Sequence, residues 1–254
     1  MSLPINKQTV LITGAGRGLG SAISRSFHRE GAKVIINYRK SYESAKRLSD
    51  SLGNNVTIIQ GDIRNKEEVI QMNKKLVDQK IIINTIVHNA IDDYKFNGEQ
   101  RKKIDEIDWK DFQNQIETSQ KGFLNLLNIF TPNMRKNHFG RFITVGTNLF
   151  QNPVVPYHDY TAAKGGLLSI TRTAAIDLGK FNITVNMISG GLLKITDASK
   201  DTPEEVFNYI KSITPLRKVT TTDDFSDAVL FFSSPWSRAV TGQNLIVDGG
   251  LVLN

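Results

Sequence analysis

Short apolar, β-branched runs alternate along this chain with longer stretches of helical periodicity. This alternation is typical of βαβ units and of a parallel sheet. It predicts strands at 9–13, 33–38, 56–60, 86–88, 141–145, 183–188 and 244–247. The helices between them are predicted at 19–30, 41–51, 66–79, 108–130 and 157–178, with Pro132 near the end of the fourth.

These strands are too apolar to leave one face in water, so helices should cover both faces of the sheet. The pattern therefore predicts an α/β fold with a doubly wound, Rossmann-like parallel sheet, built as a single domain over 1–254. Two polar segments, 92–108 and 190–215, interrupt the alternation. Both follow strands, so both should lie over the carboxyl edge, where ligands bind. The second begins a helix near Thr202 and is expected to form a mobile substrate lid.

Composition excludes several classes of function. The chain has no cysteine, so thiolate catalysis and Cys-based metal sites are excluded, and a reducing cytoplasm fits. Four scattered histidines make a zinc site improbable. No apolar run is long enough to span a membrane, and the start does not resemble a signal peptide. The net charge of +7 is spread along the chain without a basic block, which disfavours nucleic-acid binding.

A glycine-rich segment, Thr13 to Gly20, lies between the first predicted strand and helix. Its pattern is T-G-x-x-x-G-x-G, with Leu19 where the more common G-x-G-x-x-G has its last glycine. Glycines let the backbone approach a phosphate, and the following helix offers free N–H groups. The segment predicts a pyrophosphate site, against the alternative of a turn without a ligand. The residues expected to contact the cofactor here are Gly14, Gly16, Arg17, Gly18, Leu19 and Gly20.

The second strand indicates which dinucleotide is bound. It ends without the acidic residue that usually grips the ribose of NAD, since no acid occurs before Glu43. Arg17 and Arg39, with no carboxylate beside them, favour a 2′-phosphate and hence NADPH/NADP+, unless Arg39 and Lys40 are simply solvated. Asp62, after the third strand, has two open roles: acceptor for the adenine amino group or N-cap of the next helix.

Tyr160 and Lys164 lie one helical turn apart on the predicted helix 157–178 and share a face. A free tyrosine has a pKa of about 10, too high for ready proton exchange near neutrality. A neighbouring ammonium should lower that pKa and make the phenol a proton donor. The spacing is common by chance, and a surface pair is the alternative. In one chain with the glycine-rich segment, it indicates a nicotinamide-dependent carbonyl reductase.

The chain resembles the short-chain dehydrogenase/reductase family, and in particular its bacterial 3-oxoacyl-[acyl-carrier-protein] reductase branch. The likeness extends over essentially the whole chain and includes a closing motif at 241–250. It implies a catalytic role for Thr147, which stands where the family has a serine, beside Tyr160 and Lys164. It also places Ser119 at the position of the asparagine that supports a proton-relay water. A relay through Ser119 or through bulk water is therefore expected.

The resemblance also implies further cofactor contacts. Asn89 and Ala90 match the family's N-A-G segment, although Ile91 replaces its glycine. Gly191 belongs to a Gly-Gly pair that replaces the family's Pro-Gly. The cofactor-binding residues implied beyond the glycine-rich segment are Arg39, Asp62, Ile63, Asn89, Ala90, Tyr160, Lys164 and Gly191.

The expected activity is NADPH-dependent reduction of a ketone to a secondary alcohol. The expected substrate is a 3-oxoacyl thioester on acyl carrier protein, as in fatty acid synthesis. Steering of that acidic partner is one role for a basic cluster of Arg135, Lys136, His138, Arg172 and Lys180; solvated helix faces are the other.

Two other functions remain open from the sequence. The first is reduction of a small free ketone, quinone or sugar, recognised through the cations of segment 92–108, which are Lys95, Arg101, Lys102 and Lys103. The second is a non-catalytic dinucleotide-binding regulator, suggested by Ser119, Thr147 and Ile91. The resemblance further implies a homotetramer.

Overall fold

Seven parallel strands form a single sheet in the order β3-β2-β1-β4-β5-β6-β7. The structure is a computed structural model and describes residues 3–92, 94, 96–194, 199 and 202–253. The strands are β1 (Thr9–Ile12), β2 (Lys33–Tyr38), β3 (Val56–Gln60), β4 (Thr85–His88), β5 (Gly140–Thr147), β6 (Ile183–Gly190) and β7 (Asn244–Val247). The predicted doubly wound fold is confirmed.

Eight α-helices connect and cover these strands in the described part of the chain. They are α1 (Gly18–Arg29), α2 (Tyr42–Leu52), α3 (Lys66–Asp78), α4 (Trp109–Ile116), α5 (Gly122–Asn137), α6 (His158–Leu178), α7 (Glu204–Ile213) and α8 (Thr222–Ser233). Short 3-10 turns occupy Ile5–Lys7, Gly98–Gln100, Asn148–Phe150, Gly179–Phe181 and Pro235–Ser237. Among the described residues, none of the helices combines the length and the apolar character that crossing a bilayer requires.

Alternation along the central strands divides the core into two layers. Leu11, Ile35 and Phe142 point to one face, where they pack with residues of α3, α5 and α6. Val10, Ile12 and Ile143 point to the other face and meet residues of α1, α2 and α8. Both faces of the sheet are therefore dry, as the apolar strands predicted.

The winding of the sheet reverses between β1 and β4. The chain moves outward from β1 through β2 to β3 and then returns to place β4 beside β1, with Ile12 opposite Val87. At such a switch point the loops after the two strands diverge and leave a crevice. The glycine-rich segment and Asn89 follow these two strands, so the topology brings them together.

The helix predicted over 108–130 differs from the observed structure. A π-helical turn, Glu117–Lys121, separates α4 from α5. The helix then continues through Pro132 to Asn137, so the expected end near the proline was wrong. Proline removes one helical hydrogen bond, but Phe130 and Met134 on either side are buried in the core and hold the last turns in place.

Helix α8 was missed in the sequence, although its start carries a recognisable signal. Thr221 and Asp224 form a reciprocal capping box, with the Thr221 side chain accepting from the Asp224 amide. Phe225 and Val229, one turn apart, are buried against the sheet. The other differences are shifts of element ends by a few residues; the longest are in β5 and β6, which extend to Thr147 and Gly190.

The two polar segments are described only in part. Residues 93 and 95 of the first, and 195–198, 200 and 201 of the second, lie outside the described residues. The lid expected over 190–215 therefore stays a prediction. Its helix start is confirmed, since α7 begins at Glu204 directly after Pro203.

Candidate active site

The turn between β1 and α1 has the shape of a phosphate cradle. Gly14 and Gly18 have φ values of 62° and 53°, in the left-handed region that favours glycine. Helix α1 begins at Gly18, and its N-cap residue Arg17 makes no side-chain capping bond. Space is open within 4 Å of where a Gly18 side chain would begin. An uncapped helix start beside glycine backbone fits a dinucleotide pyrophosphate.

Gly20 is required for a different reason, because α1 packs directly on the turn that precedes it. A Cβ at Gly20 would lie 2.6 Å from the Gly14 carbonyl oxygen and 2.8 Å from the Cα of Ala15. Leu19 is half-buried and packs against the core on this side of the sheet. Gly16 faces α2, where a Cβ would lie 3.2 Å from the Ala45 amide nitrogen.

Asn89 and Ala90 stabilise this cradle from the neighbouring strand. Both of their amides donate to the Thr13 hydroxyl at 3.0 Å, and the Asn89 side-chain amide donates to the carbonyls of Thr13 and Gly14. The Asn89 amide group is thus used within the protein, which identifies it as a support for the glycine-rich turn.

Asp62 is not an N-cap, because the side chain of Asn65 caps α3 instead. The Asp62 carboxylate is bound by the Arg64 guanidinium through contacts of 2.6 to 3.1 Å. Burial raises the pKa of Asp62, but the hydrogen bonds from Arg64 and the nearby Arg39 charge together lower it below its ordinary value. Ile63 is buried and packs against Gly122, so its side chain belongs to the core.

Arg39 has carboxylates beside it, contrary to the sequence expectation. One guanidinium nitrogen, Nη1, lies 3.2 Å from an Asp92 oxygen and 3.8 Å from an Asp62 oxygen. Arg64 also reaches Asp92, at 3.7 Å. Asp62 follows β3, the neighbour of β2 in the sheet, and Asp92 follows β4, which lies on the other side of β1. Two arginines and two aspartates thus share this edge of the cradle.

Tyr160 and Thr147 meet where α6 passes the carboxyl end of β5. The two side chains are adjacent, and both are buried. Burial raises the pKa of Tyr160 to about 12, and the neighbouring Thr147 hydroxyl only partly opposes this. The expected lowering of the Tyr160 pKa is therefore wrong for the protein alone. The phenol is fully protonated at neutral pH.

Lys164 is buried one turn further along α6. Its ammonium donates to the Val145 carbonyl at 2.7 Å and lies 5.7 Å from the centroid of the Tyr160 ring. Burial lowers the pKa of Lys164 to about 8. The predicted Tyr–Lys pair is thus a buried pair on one helix face, with the lysine anchored to the sheet.

His88, the last residue of β4, was not recognised from the sequence. Its Nε2 donates to the Ser119 carbonyl at 2.9 Å, and its ring stacks on Phe123 at a centroid distance of 5.5 Å. Burial, together with the Lys164 charge, lowers the pKa of His88 to about 3, so the ring is neutral. Ser119 lies buried in the π turn, and its carbonyl is held by this histidine.

Three aromatic side chains that were not recognised from the sequence lie near Tyr160. Tyr94 and Phe96, from the polar segment after β4, lie 5.1 and 5.3 Å from the Tyr160 ring, centroid to centroid. Tyr157 contacts both of them, at 5.6 and 5.7 Å. A cluster of large aromatic residues in a polar segment was the available signal.

Gly191 follows β6 and faces the contact between Asn148 and Asp248. The Asn148 side-chain amide donates to the Asp248 carboxylate at 2.8 Å. A Cβ at Gly191 would lie 3.0 Å from that amide nitrogen. The glycine therefore allows the segment after β6 to pass close to the residue that follows Thr147.

A doubly wound sheet with a phosphate cradle at its switch point, and a buried Tyr–Lys pair at the same edge, defines a class: oxidoreductases that use a dinucleotide. A family model described as Enoyl-(Acyl carrier protein) reductase matches residues 14–252. The chain belongs to the short-chain dehydrogenase/reductase family.

Relatives and solved structures cover nearly the full length of the chain. The 3-oxoacyl-[acyl-carrier-protein] reductase FabG of Staphylococcus epidermidis is 28% identical to this chain, over 97% of this chain and 99% of the FabG sequence. FabG of Buchnera aphidicola is 27% identical, over 98% of this chain and 99% of its own.

Among solved structures, a protein of Agrobacterium tumefaciens assigned as a gluconate dehydrogenase superposes with a TM-score of 0.89, 26% identity and 98% coverage of both chains. A gluconate 5-dehydrogenase from Burkholderia cenocepacia, in complex with NADP and tartrate, superposes with a TM-score of 0.86 at 23% identity. The superposition covers 98% of this chain and 96% of the other chain. The second comparison bears on the fold alone.

Proposed function

We propose that the protein reduces a ketone to a secondary alcohol with NADPH, acting on a 3-oxoacyl thioester carried by acyl carrier protein. The observation that supports the chemistry is the pairing of two buried hydroxyl side chains, Thr147 and Tyr160. The pair lies beside Lys164, at the same sheet edge as the phosphate cradle.

The two hydroxyls are suited to activate a carbonyl. Thr147 and Tyr160 can both donate to the carbonyl oxygen and stabilise the negative charge that develops on it. The nicotinamide, when bound, supplies the hydride. Tyr160 then gives its proton to the alkoxide oxygen. A pKa of about 12 keeps the phenol protonated, which is the form that a general acid needs.

Lys164 has a supporting role in the same step. Its buried positive charge favours the tyrosinate that remains after proton transfer. Its own pKa, lowered to about 8, lies close to neutrality, which suits a group that returns a proton to Tyr160. We propose that the proton reaches Lys164 through Ser119 or from bulk water.

The proposed preference for NADPH rests on Arg17 and Arg39. Arg17 is the N-cap residue of α1, inside the cradle. Arg39 directly follows β2, where a ribose-binding acid would otherwise stand. Asp92 and Asp62 offset part of the Arg39 charge, so Arg17 should contribute more to recognition of a 2′-phosphate.

The acyl thioester is proposed as substrate from the names of the relatives and from a basic surface. Arg135 and Lys136 end α5, and Arg172 and Lys180 lie on or after the adjoining α6. Arg135 pairs with Asp177 at 3.3 Å, which reduces its share in steering an acidic partner.

The polar segment after β4 gives less support to an anionic small substrate. Three of its cations bind carboxylates of this chain: Arg101 binds Asp159, Lys102 binds Asp111, and Lys103 binds Glu99. Lys95 lies outside the described residues. A sugar acid, the substrate class named for the Agrobacterium protein, is the second candidate.

We also propose self-association into a homotetramer in the cytoplasm. Exposed apolar side chains on α5 and α6 support it, since Leu124 is 49% and Ile176 is 85% exposed. Light scattering coupled to gel filtration tests the assembly, and a monomer would contradict it.

The decisive experiment measures NADPH consumption with acetoacetyl-acyl carrier protein, acetoacetyl thioester of a small thiol, and a keto sugar acid. Preference for the carrier-bound substrate supports the proposal, whereas turnover of the sugar acid alone favours the second candidate. Tyr160→Phe should abolish turnover while the Kd for NADPH stays near the wild-type value. Binding without turnover on any ketone would indicate a regulator.

A further inference from the structure

The three aromatic residues around Tyr160, which we call the aromatic wall (Tyr94, Phe96 and Tyr157), form one connected group. Tyr94 is its centre, with ring contacts to Phe96 at 4.9 Å, to Tyr157 at 5.6 Å and to Tyr160 at 5.1 Å. Two different parts of the chain meet here, because Tyr94 and Phe96 follow β4 whereas Tyr157 immediately precedes α6.

Ionic and hydrogen bonds hold the wall in this position. Asp159, which is 2% exposed and precedes Tyr160, accepts from the Tyr94 hydroxyl at 3.1 Å and from Arg101 at 2.8 Å. The Arg101 guanidinium also lies over the Tyr94 ring, 4.3 Å from its centroid. Tyr94 is thus held at its hydroxyl and across its face, and its position is determined independently of any ligand.

The polar ends of the wall are used inside the protein. The Tyr94 hydroxyl is bound to Asp159, and the Tyr157 hydroxyl accepts the Gly98 amide at 2.7 Å. Arg101 is neutralised by Asp159. What the wall offers to a neighbour of Tyr160 is therefore mainly aromatic ring surface. A polyhydroxylated group placed against it would lose water without regaining hydrogen bonds, which costs free energy.

We infer that the aromatic wall determines substrate specificity, and that it selects ketones with an apolar substituent on the carbonyl carbon over polyhydroxylated ketones. The inference rests on the proposed function, because it takes the Tyr160 hydroxyl as the point where the carbonyl oxygen binds. Tyr94 and Phe96 pack on the Tyr160 ring, which places them beside a substrate held at its hydroxyl. Tyr94, Phe96 and Tyr157 contact the substituent, and Arg101 is a positioning residue that acts through Tyr94.

The test is a series of 3-oxoacyl thioesters of one small thiol, with the acyl chain lengthened by single methylene groups, beside a keto sugar acid. For the wild type, kcat/KM should rise about threefold to fourfold per methylene while the chain remains on the wall. The keto sugar acid should be the poorest substrate. Tyr94→Ala and Phe96→Ala should flatten the rise, whereas Tyr94→Phe, which keeps the ring, should retain it.

Two further variants separate a specific role from a general disturbance. Ile104→Ala removes an apolar side chain of the same segment that is 69% exposed, and it should leave the series unchanged. Arg101→Gln should flatten the rise partly, with the KM for long chains increasing more than kcat falls. An equal loss on every substrate would show that Arg101 serves only the fold and would overturn its positioning role.

Binding measurements keep this inference distinct from the proposed function. Calorimetry with the matching 3-hydroxyacyl thioesters and NADPH gives a series of Kd values that needs no hydride transfer. If no ketone is reduced but the Kd values still fall with chain length, the proposed function is wrong and the specificity role of the aromatic wall is supported. If ketones are reduced without dependence on chain length, or the sugar acid is preferred, the specificity role of the wall is wrong and the reductase function is supported.

Discussion

The Lys164 ammonium donates a hydrogen bond of 2.7 Å to the Val145 carbonyl, so a buried cation is anchored to strand β5. It lies 5.7 Å from the Tyr160 ring centroid, near enough to stabilise a tyrosinate. Burial lowers the pKa of Lys164 to about 8. The site thus keeps a charge that is costly for the folded protein and useful for proton transfer.

This cost should be visible as a pH dependence of stability. The folded-state pKa of Lys164 is about 8 and the ordinary value is 10.5, so between them the unfolded chain binds more protons. Stability therefore rises with pH across this window, and the full cost is present below it. Relative to Lys164→Met, the wild-type free energy of unfolding should increase by about 3 kcal/mol from the lower to the upper limit. Denaturant titrations of both proteins measure this; parallel pH curves would contradict it.

Buried His88 should give a slope of the same sign at acid pH. Burial and the Lys164 charge lower the pKa of His88 from 6.5 to about 3, so between these values only the unfolded chain takes up the proton. The contribution of His88 is fully present above 6.5 and is lost as the pH falls toward 3. Between about pH 6.5 and about pH 4, the wild type should lose about 3 kcal/mol more than His88→Asn, which keeps a donor.

Acid denaturation followed by circular dichroism compares the two proteins. A variant as acid-sensitive as the wild type would show that His88 does not titrate as its burial requires. His88→Leu serves as the second comparison, because it leaves the Ser119 carbonyl without its donor. It should cost about 1–3 kcal/mol at neutral pH, where His88→Asn costs less.

The features that could be predicted from the sequence are those encoded within one short stretch. The glycine-rich turn needs a strand, a few glycines and a helix in succession, and Tyr160 and Lys164 are joined by a single helical turn. Their placement follows from backbone geometry alone. The protonation state of the pair could not be predicted in this way, because the pKa of Tyr160 depends on its burial among residues from other parts of the chain.

The remaining features arise from contacts between distant residues. Tyr94 meets Asp159, and Arg39 meets Asp92, only because the ends of different elements converge at one edge of the sheet. His88 reads as an ordinary strand residue until the π turn places the Ser119 carbonyl against it. Side-chain periodicity carries no information about such pairs, so segment 92–108 was interpreted from its charges rather than from its aromatic rings.

Recognition of a 2′-phosphate can be tested by removing one arginine at a time. Arg17→Ala should weaken NADPH binding by about 10–100-fold, the value of a charge-assisted phosphate contact, with little effect on NADH. Arg39→Ala should have a smaller effect, because Asp92 and Asp62 share its charge. Fluorescence titration gives both Kd values for each protein, and Arg47→Ala, on the exposed side of α2, is the control. An unchanged ratio of the Kd values for NADPH and NADH in both variants would refute the assignment of the preference to these two arginines.

Gly20→Ala tests whether the cradle depends on close packing between α1 and the turn before it. The added methyl group would lie 2.6 Å from the Gly14 carbonyl oxygen and 2.7 Å from the Asn89 side-chain nitrogen. The carbonyl belongs to the backbone, which cannot move aside as easily as a flexible side chain can. The turn must shift, so stability should fall by about 1–3 kcal/mol. NADPH affinity should fall as well, because the amides that face the phosphates move with the turn. Gly165→Ala is the matched control: it lies within α6 with open space around it and should stabilise the protein by up to about 1 kcal/mol. Gly20→Ala with wild-type affinity would mean that the phosphates are held elsewhere.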